Sequence, residues 1–367
     1  MRIKLENVCK RGSSNLRQSD VEGKTGEYPI FGAAGYIGNV DFYHQEESYI
    51  GVVKDGAGVG RVVKLPAKSS VIGTMQYIIP NSDVDVSYLA YAMEHMNLAK
   101  YYSGATIPHI YFKDYCKETI PLHSAIEQRH IAAVLDKAAA LIDLRKQQLA
   151  KLDELVKARF VEMFGDTFSN PKEWPTKTFR EASIRLSDGP FGSNLKSEHY
   201  SDKGIRVIRL GNIGVGEFID DDKSYISTEH YERLKKYTCK SGEIVIGTLG
   251  EPNLRACIVP EFVGIAVNKA DCVHYIPNPD ILDSIFVCQY INCPTTLLLA
   301  SGMIHGQTRS RVSSGQIAEM PIYIPPIELQ LEFARFIKRI NKSKAAIQKA
   351  LDEAQLLFDS LMQKYFG

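Results

Sequence analysis

The chain has 367 residues, enough for two or three domains that each bury a core. Charged residues at 24% and hydrophobic ones at 44% fit an ordinary soluble protein, and a formal net charge of +1 argues against unassisted tight binding to polyphosphate. No apolar run approaches the roughly 18 residues that cross a bilayer, and the polar start MRIKLENVCKRG shows no charged-then-apolar leader.

The seven cysteines are odd in number and lack CxxC spacing, which argues against a disulfide framework or a zinc site. They predict reduced, buried thiols in a cytoplasmic protein without a membrane segment. Cys272-Val-His274 has the look of a metal-ligand fragment but lacks partners at ligand spacing, so it reads as strand.

Residues 5–101 read as short strands broken by glycine and turn residues. YPIFGAAGYIGNVDFY (28–43) combines aromatic and β-branched residues with Gly32, Gly35 and Gly38, as a twisted hairpin does. In YIGVVKDGAGVGRVVKL (49–65) the run Gly56-Ala-Gly58-Val-Gly60 lacks the GxGxxG spacing and leads into a strand, so it is a hairpin turn and not a nucleotide loop. Lys54 and Arg61 flank that turn and are expected to project from it, although a solvated loop charge is the commoner role for either. A short helix is predicted over 86–101. GATIPHIYFKDYCKETIPL (104–122) then brings Thr106, His109, Tyr111 and Lys113 onto one polar and aromatic loop. No nucleophile with evident partners makes His109 catalytic.

QRHIAAVLDKAAALIDLRKQQLAKLDELVKARFVEMFG (128–165) predicts a long helix, and Gly165 is its C-terminal cap before the turn-rich connector 166–175. A second β-rich segment starts near Phe179. In LSDGPFGSNLKSEHYSDKGIRVIRLGNI (186–213), Gly189, Pro190 and Gly192 shape a tight turn that exposes Ser193, Asn194 and Lys196, and the strand IRVIRL leads Arg206 and Arg209 toward Asn212. EIVIGTLGEPNLRACIVP (243–260) repeats strand, glycine turn, basic residue, strand, with Arg255 standing roughly where Arg61 does. GQTRSRVSSGQI (306–317) is the counterpart of the loop at 104 and carries Thr308, Arg309 and Arg311. QLEFARFIKRINKSKAAIQKALDEAQLLFDSLMQKYFG (330–367) closes the chain.

The two long helical stretches superimpose without a gap under a shift of 202, which places Gln128 on Gln330 and Phe164-Gly165 on Phe366-Gly367. Their apolar registers also agree. Ile131, Leu135, Ala138, Ile142, Leu149, Leu152 and Val156 form the first seam. Phe333, Ile337, Ile340, Ile347, Leu351, Ala354, Phe358 and Leu361 form the second, and Arg145, Arg159 and Lys344 are the awkward positions. A single such helix commonly packs on its own domain, but two matched helices of roughly 50 Å exceed what one small domain covers. Given the short connector, they are expected to pair antiparallel. The predicted fold is α+β: two similar β-rich domains separated by an antiparallel two-helix coiled coil, with a pseudo-twofold internal repeat.

Two reading heads on a rod suit a bipartite DNA target, since heads on one face of B-DNA sit about 34 Å or more apart. Inserting about one heptad in both helices is expected to widen the unread spacer. The candidate DNA contacts are Lys54, Arg61, Thr106, His109, Tyr111 and Lys113 in the first domain. In the second they are Ser193, Asn194, Lys196, Arg209, Asn212, Arg255, Thr308, Arg309 and Arg311.

Along nearly its whole length this arrangement resembles the specificity subunit of type I restriction-modification systems. The carrying stretches are YPIFGAAGYIG, YIGVVKDGAGVG, GATIPHIYFKDY and IPLHSAIEQRHIAAVLD in the first half, and DGPFGSNLKSEHYSDKGIRVIRLGNI, GQTRSRVSSGQI and IYIPPIELQLEF in the second. The resemblance implies target-recognition domains over 1–122 and 166–325, a central helix over 123–165 and a C-terminal helix over 326–367. It also implies double-stranded DNA, two methyltransferase subunits and restriction subunits as partners, with S-adenosylmethionine, ATP and Mg held by those partners. The chain itself has neither a GxxxxGK[ST] loop nor an Asn-Pro-Pro-Tyr or Asp-Pro-Pro-Tyr tetrad, so no catalytic residue and no cofactor is assigned to it. One departure is His123-Ser124, where the second copy has Pro325-Pro326. The alternative from another class is a coiled-coil interaction scaffold whose β domains bind peptides or glycans.

Overall fold

The computed structural model describes residues 1–104, 108–301 and 311–367. The chain divides into two compact units, residues 1–148 with 347–367 and residues 149–346, so each long helix gives one half to each unit.

The first unit holds β1 (Arg2–Lys4), β2 (Cys9–Ser13), β3 (Tyr28–Gly32), β4 (Gly35–Val40), β5 (Tyr49–Val53), β6 (Val62–Leu65), β7 (Ser70–Val71), β8 (Met75–Pro80), α1 (Val86–His95), α2 (Phe112–Tyr115) and β9 (Thr119–Pro121), followed by the start of α3 (Ala125–Phe164). The second holds β10 (Thr176–Thr178), β11 (Ser183–Ser187), β12 (Tyr200–Ser201), β13 (Ile205–Ile208), β14 (Ser224–Ile226), α4 (Thr228–Leu234), β15 (Thr238–Lys240), β16 (Ile244–Gly247), β17 (Arg255–Ile258), β18 (Ile265–Asn268), β19 (Cys272–Pro277), α5 (Ser284–Ile291), α6 (Pro294–Ser301), α7 (Ser314–Glu319), β20 (Pro321–Tyr323) and the start of α8 (Ile327–Phe366).

The sheets of the two units follow one plan. An antiparallel sheet ordered β2-β8-β5-β6 in the first unit is answered by β11-β19-β16-β17 in the second. The parallel pair β3/β7 with β4 beside it is answered by β13/β18 with β14, and the second unit extends that sheet by β12 and β15 at its edges. A small ribbon, β1 on β9 or β10 on β20, closes each unit. In it Ile120 opposite Ile3 is matched by Ile322 opposite Lys177.

The bounds of α3 and α8 coincide under the shift of 202, each running 40 residues. They start by different means. Ser124 and Glu127 form a reciprocal cap, with Glu127 Oε2 accepting from the Ser124 amide at 2.9 Å and Ser124 Oγ accepting from the Glu127 amide at 3.3 Å. α8 instead follows Pro325-Pro326, and the Pro326 carbonyl accepts from the Leu329 amide at 3.0 Å. Gly165 ends α3 at φ +86, where a Cβ would meet Pro171 at 2.8 Å. The helix expected over 86–101 is two pieces, because Asn97 turns left-handed at φ 51 and only a 3-10 turn follows over Leu98–Tyr101.

In the first unit Ile131 and Leu135 of α3 join Leu5, Ile50, Ile78 and Tyr88 in one core with Met362 and Phe366 of α8. In the second, Phe160 and Phe164 of α3 meet Phe333 of α8 and Phe286, with ring centroids 4.8–5.7 Å apart. Each buried ring of this kind contributes about 1.5–3 kcal/mol by area alone. The start of one helix thus lies against the end of the other within each unit, which is antiparallel pairing. Two of the awkward positions pair between helices: Lys344 Nζ lies 2.7 Å from Asp153, and Arg159 3.1 Å from Glu332. Arg145 donates along its own helix to Gln148 at 2.9 Å.

The aligned glutamines are the joints. Gln128 is buried, accepts from the Asp85 amide at 2.9 Å and donates to the His123 carbonyl at 3.0 Å. Gln330 is equally buried, accepts from the Asp283 amide at 2.9 Å and donates to the carbonyls of Pro325 and Ile281 at 2.8 and 2.9 Å. Asp85 and Asp283 each cap the next short helix, α1 and α5. One amide side chain therefore ties sheet, short helix and long helix together in each unit.

All seven cysteines are buried free thiols, and burial pushes Cys288 up to about 12. His274 lies on β19 with Nε2 2.8 Å from Glu243, as strand and not a metal fragment. Among the described residues no helix is long and apolar enough to cross a membrane.

Candidate nucleic-acid interface

The loop that leaves β5 is laced to the loop that precedes α2. Asp55 and His109 pair as a bridge, the Ile110 amide donates to the Lys54 carbonyl at 2.9 Å, and the Gly56 amide donates to the Pro108 carbonyl at 2.9 Å. Gly56, Gly58 and Gly60 have φ of 82–85°, a backbone open to glycine, and a Cβ on Gly60 would lie 2.4 Å from the Ala99 nitrogen. This lacing brings Lys54, His109, Tyr111 and Lys113 onto one surface. The His109 and Tyr111 rings meet edge to face at 5.2 Å, Lys113 Nζ lies 5.3 Å from the Tyr111 ring, and Lys54 pairs with Asp55 at 3.6 Å.

In the second unit the same lacing recurs. Leu249, in the loop leaving β16, forms a bridge with Arg311, and the Val312 amide donates to the Thr248 carbonyl at 3.2 Å. His109 and Arg311 are 202 residues apart, as are Ile110 and Val312. The backbone thus places a histidine in one unit and an arginine in the other at equivalent points on equivalent loops. Arg311 pairs with Asp271 at 2.9 Å.

Two other groups lie in the second unit. Arg209 binds Asp222 at 2.7 Å and leans over the Tyr200 ring at 5.9 Å, with Lys269 over that ring at 5.6 Å. Ser193, Asn194 and Lys196 are exposed on and beside the 3-10 turn Gly192–Asn194, which is held by His230 on the Asn194 carbonyl at 2.9 Å. Lys269 and Tyr200 escaped sequence reasoning, since neither belongs to a glycine turn.

Three expectations are corrected. Asn212 is fully buried: its side chain accepts from the Arg209 amide and donates to the Ile219 and Asp222 carbonyls, all at 2.9 Å, so it shapes the loop and cannot reach a ligand. The Arg255 guanidinium is consumed by the carbonyls of Ile213, Leu249, Pro252 and Leu210 at 2.5–3.0 Å, which makes it a brace under the β16–β17 turn. Arg61 does not project from its turn but folds back to donate to the Ala33 carbonyl, tying the β3–β4 hairpin to the loop. Thr106, Thr308 and Arg309 lie outside the described residues.

These geometries define a protein with two related heads, each carrying cations, amides and aromatics on loops fixed by backbone hydrogen bonds. Residues 1–154 match the family model of the type I restriction modification DNA specificity domain. The chain is 22% identical over 330 residues to the specificity subunit of the type I restriction enzyme MjaVIII from Methanocaldococcus jannaschii, a match covering 83% of this chain and 76% of that one. Its fold is shared with the S subunit of a type I restriction-modification system from M. genitalium, at 16% identity and TM-score 0.59, covering 100% of this chain and 96% of the other. It is also shared with a chain from a study of complex assembly and conformational transition of the type I R-M system, at 12% identity and TM-score 0.55, covering 100% and 97%.

Proposed function

We propose that this chain reads a split DNA sequence, one half per head, and directs partner subunits to it without catalysing a reaction. The observation that carries this reading is the pair His109 and Arg311: the backbone is repeated, while the side chain presented to a ligand is changed. A repeated scaffold with different donors suits two half-sites of different sequence. Lys54, His109, Tyr111 and Lys113 serve the first half-site. Arg311, Arg209, Lys196, Asn194 and Ser193 serve the second, and the length of α3 and α8 sets the unread gap. Arginine suits bidentate contact with guanine, and exposed lysines suit phosphate.

The partners in this reading are methyltransferase subunits carrying S-adenosylmethionine and restriction subunits using ATP and Mg. Exposed Leu141 and Leu144 on α3 and Leu356 and Leu357 on α8 give the helices apolar surface for such subunits, beyond what the cores use. The near-neutral net charge agrees with shared DNA binding, where partners supply phosphate contacts. The test is selection of DNA from a random pool by the chain assembled with its methyltransferase partner. Enrichment of two short fixed blocks with a constant gap is expected. Absence of any preference for a split sequence refutes the proposal.

A further inference from the structure

The loops that carry His109 and Arg311 lie next to equivalent turns. In the first unit residues 72–75 turn into β8, with the Met75 amide donating to the Ile72 carbonyl at 3.0 Å. In the second, residues 269–272 turn into β19, with the Cys272 amide donating to the Lys269 carbonyl at 3.1 Å. The pairing of Val53 with Met75 and of Gly247 with Cys272 fixes the match, so Thr74 stands where Asp271 does, one residue ahead of the strand. Each also receives the end of the neighbouring strand. The Lys54 amide donates to the Thr74 carbonyl at 3.0 Å, and the Thr248 amide to the Asp271 carbonyl at 3.1 Å.

The turn residue changes together with the loop residue. In the unit with the arginine it is a carboxylate, and Asp271 Oδ1 lies 2.9 Å from Arg311 Nη2. In the unit with the histidine it is a threonine, which carries no charge. The backbone changes as well. Asp271 has φ +68, a left-handed conformation that residues other than glycine enter at a cost, whereas the φ of Thr74 is not positive. The buried Thr248 holds the second turn in this form, since its hydroxyl and its amide both donate to the Asp271 carbonyl at 3.1 Å.

A loose arginine must be ordered before it can read a base, and that ordering subtracts from binding. Arg311 is ordered in advance: its backbone bridges to Leu249, its Nε is buried, and its Nη2 is held by Asp271, while the side chain as a whole stays 40% exposed. Among the described residues Nε has no hydrogen-bond partner, so the Asp271 carboxylate is what fixes the guanidinium. A pair made through one nitrogen leaves further N–H groups for the acceptors of a guanine edge. The same negative charge opposes nearby phosphate, so it adds to discrimination and not to general affinity.

We propose that Asp271 is a positioning residue of the second head, which aims the Arg311 guanidinium at one base and restrains its pull on phosphate, although the turn that presents it is unfavourable. The inference rests on the function proposed above. The first head lacks a carboxylate at this place because histidine has fewer torsions to order.

The test uses the chain assembled with its methyltransferase partner, as parent, D271N, D271G and R311A, to select duplexes from a random pool. Asparagine and glycine both accept a left-handed turn, so D271N and D271G are expected to melt within about 4 °C of the parent. Each is expected to lose preference about three- to tenfold at a single position, the one that R311A relaxes. Affinity for an unrelated duplex is expected to stay equal or to rise, which damage to the fold would not produce. Adding D271N to R311A is expected to change nothing further. Preference that falls evenly over several positions overturns the proposal, as do D271N and D271G that both melt more than about 4 °C below the parent. If the parent selects a split sequence and R311A relaxes one position while D271N and D271G select as the parent does, only the role of Asp271 falls. If the parent selects no split sequence, both readings fall.

Discussion

Replacing Gln330 by leucine keeps the side chain's approximate volume and removes both its acceptor and its donors. In the second unit this strands the Asp283 amide and the carbonyls of Ile281 and Pro325, all within 2.8–2.9 Å of the glutamine and all around a fully buried side chain. A buried polar group left without a partner costs about 1–3 kcal/mol. Three such groups are stranded, and Pro325 among them is buried, so the sum is about 3–5 kcal/mol. In thermal unfolding of a unit this size each kcal/mol lowers the midpoint by about 2–4 °C, a fall of roughly 6–20 °C for the second unit. Hydrogen exchange gives a sharper reading, because the Asp283 amide should lose protection while that of Asp85 keeps it. The mirror substitution Gln128→Leu should reverse the pattern. A loss below about 1 kcal/mol in either variant, or loss of protection in both units together, would refute the view of each glutamine as the local joint between sheet and helix.

Arg311→Ala should cost about 1–3 kcal/mol in DNA binding and relax a position in one half-site only, read by selection from a random pool; equal weakening on all sequences would make it a phosphate contact. His109→Ala should act on the other half-site alone in the same assay. Asn212→Ala leaves the Arg209 amide and two carbonyls without their partner, so it should lower the unfolding midpoint while the selected sequence stays unchanged. Burial pushes the His274 imidazole below its ordinary 6.5, so the native state holds it neutral against Glu243. The unfolded chain then takes up a proton first as pH falls. That stability is complete above about 6.5 and is lost as pH drops below it toward the native value. Thermal melts between pH 8 and 5 should show this slope for the second unit, and His274→Gln should flatten it.

What the sequence made legible were the features with a period. The repeated apolar register located both helices to within three residues of their starts, and the glycine runs located the β5–β6 and β16–β17 turns. Polar loop residues have no period. In the sequence, Asn212 and Asn194 look alike, yet one is sealed under its own loop and the other is exposed, a difference set by which backbone groups need a partner. Arg61 and Arg255 both stand beside turns, where carbonyls lie at short range: Arg255 spends its guanidinium on four of them, whereas Arg61 stays exposed and donates to the Ala33 carbonyl. Gln128 and Gln330 align under the shift of 202. Their role was hidden, because glutamine on a helix is usually a surface residue and only the packing shows that these two are not.

The central claim, that two heads of one chain read two halves of one DNA sequence, is met most directly by methylation-aware sequencing of host DNA with and without this gene. A set of methylated adenines is expected to disappear with the gene, in a context of two short blocks at a fixed spacing, with Arg311→Ala altering one block only. A lost methylation pattern with a single continuous context, or no change in methylation at all, would contradict it.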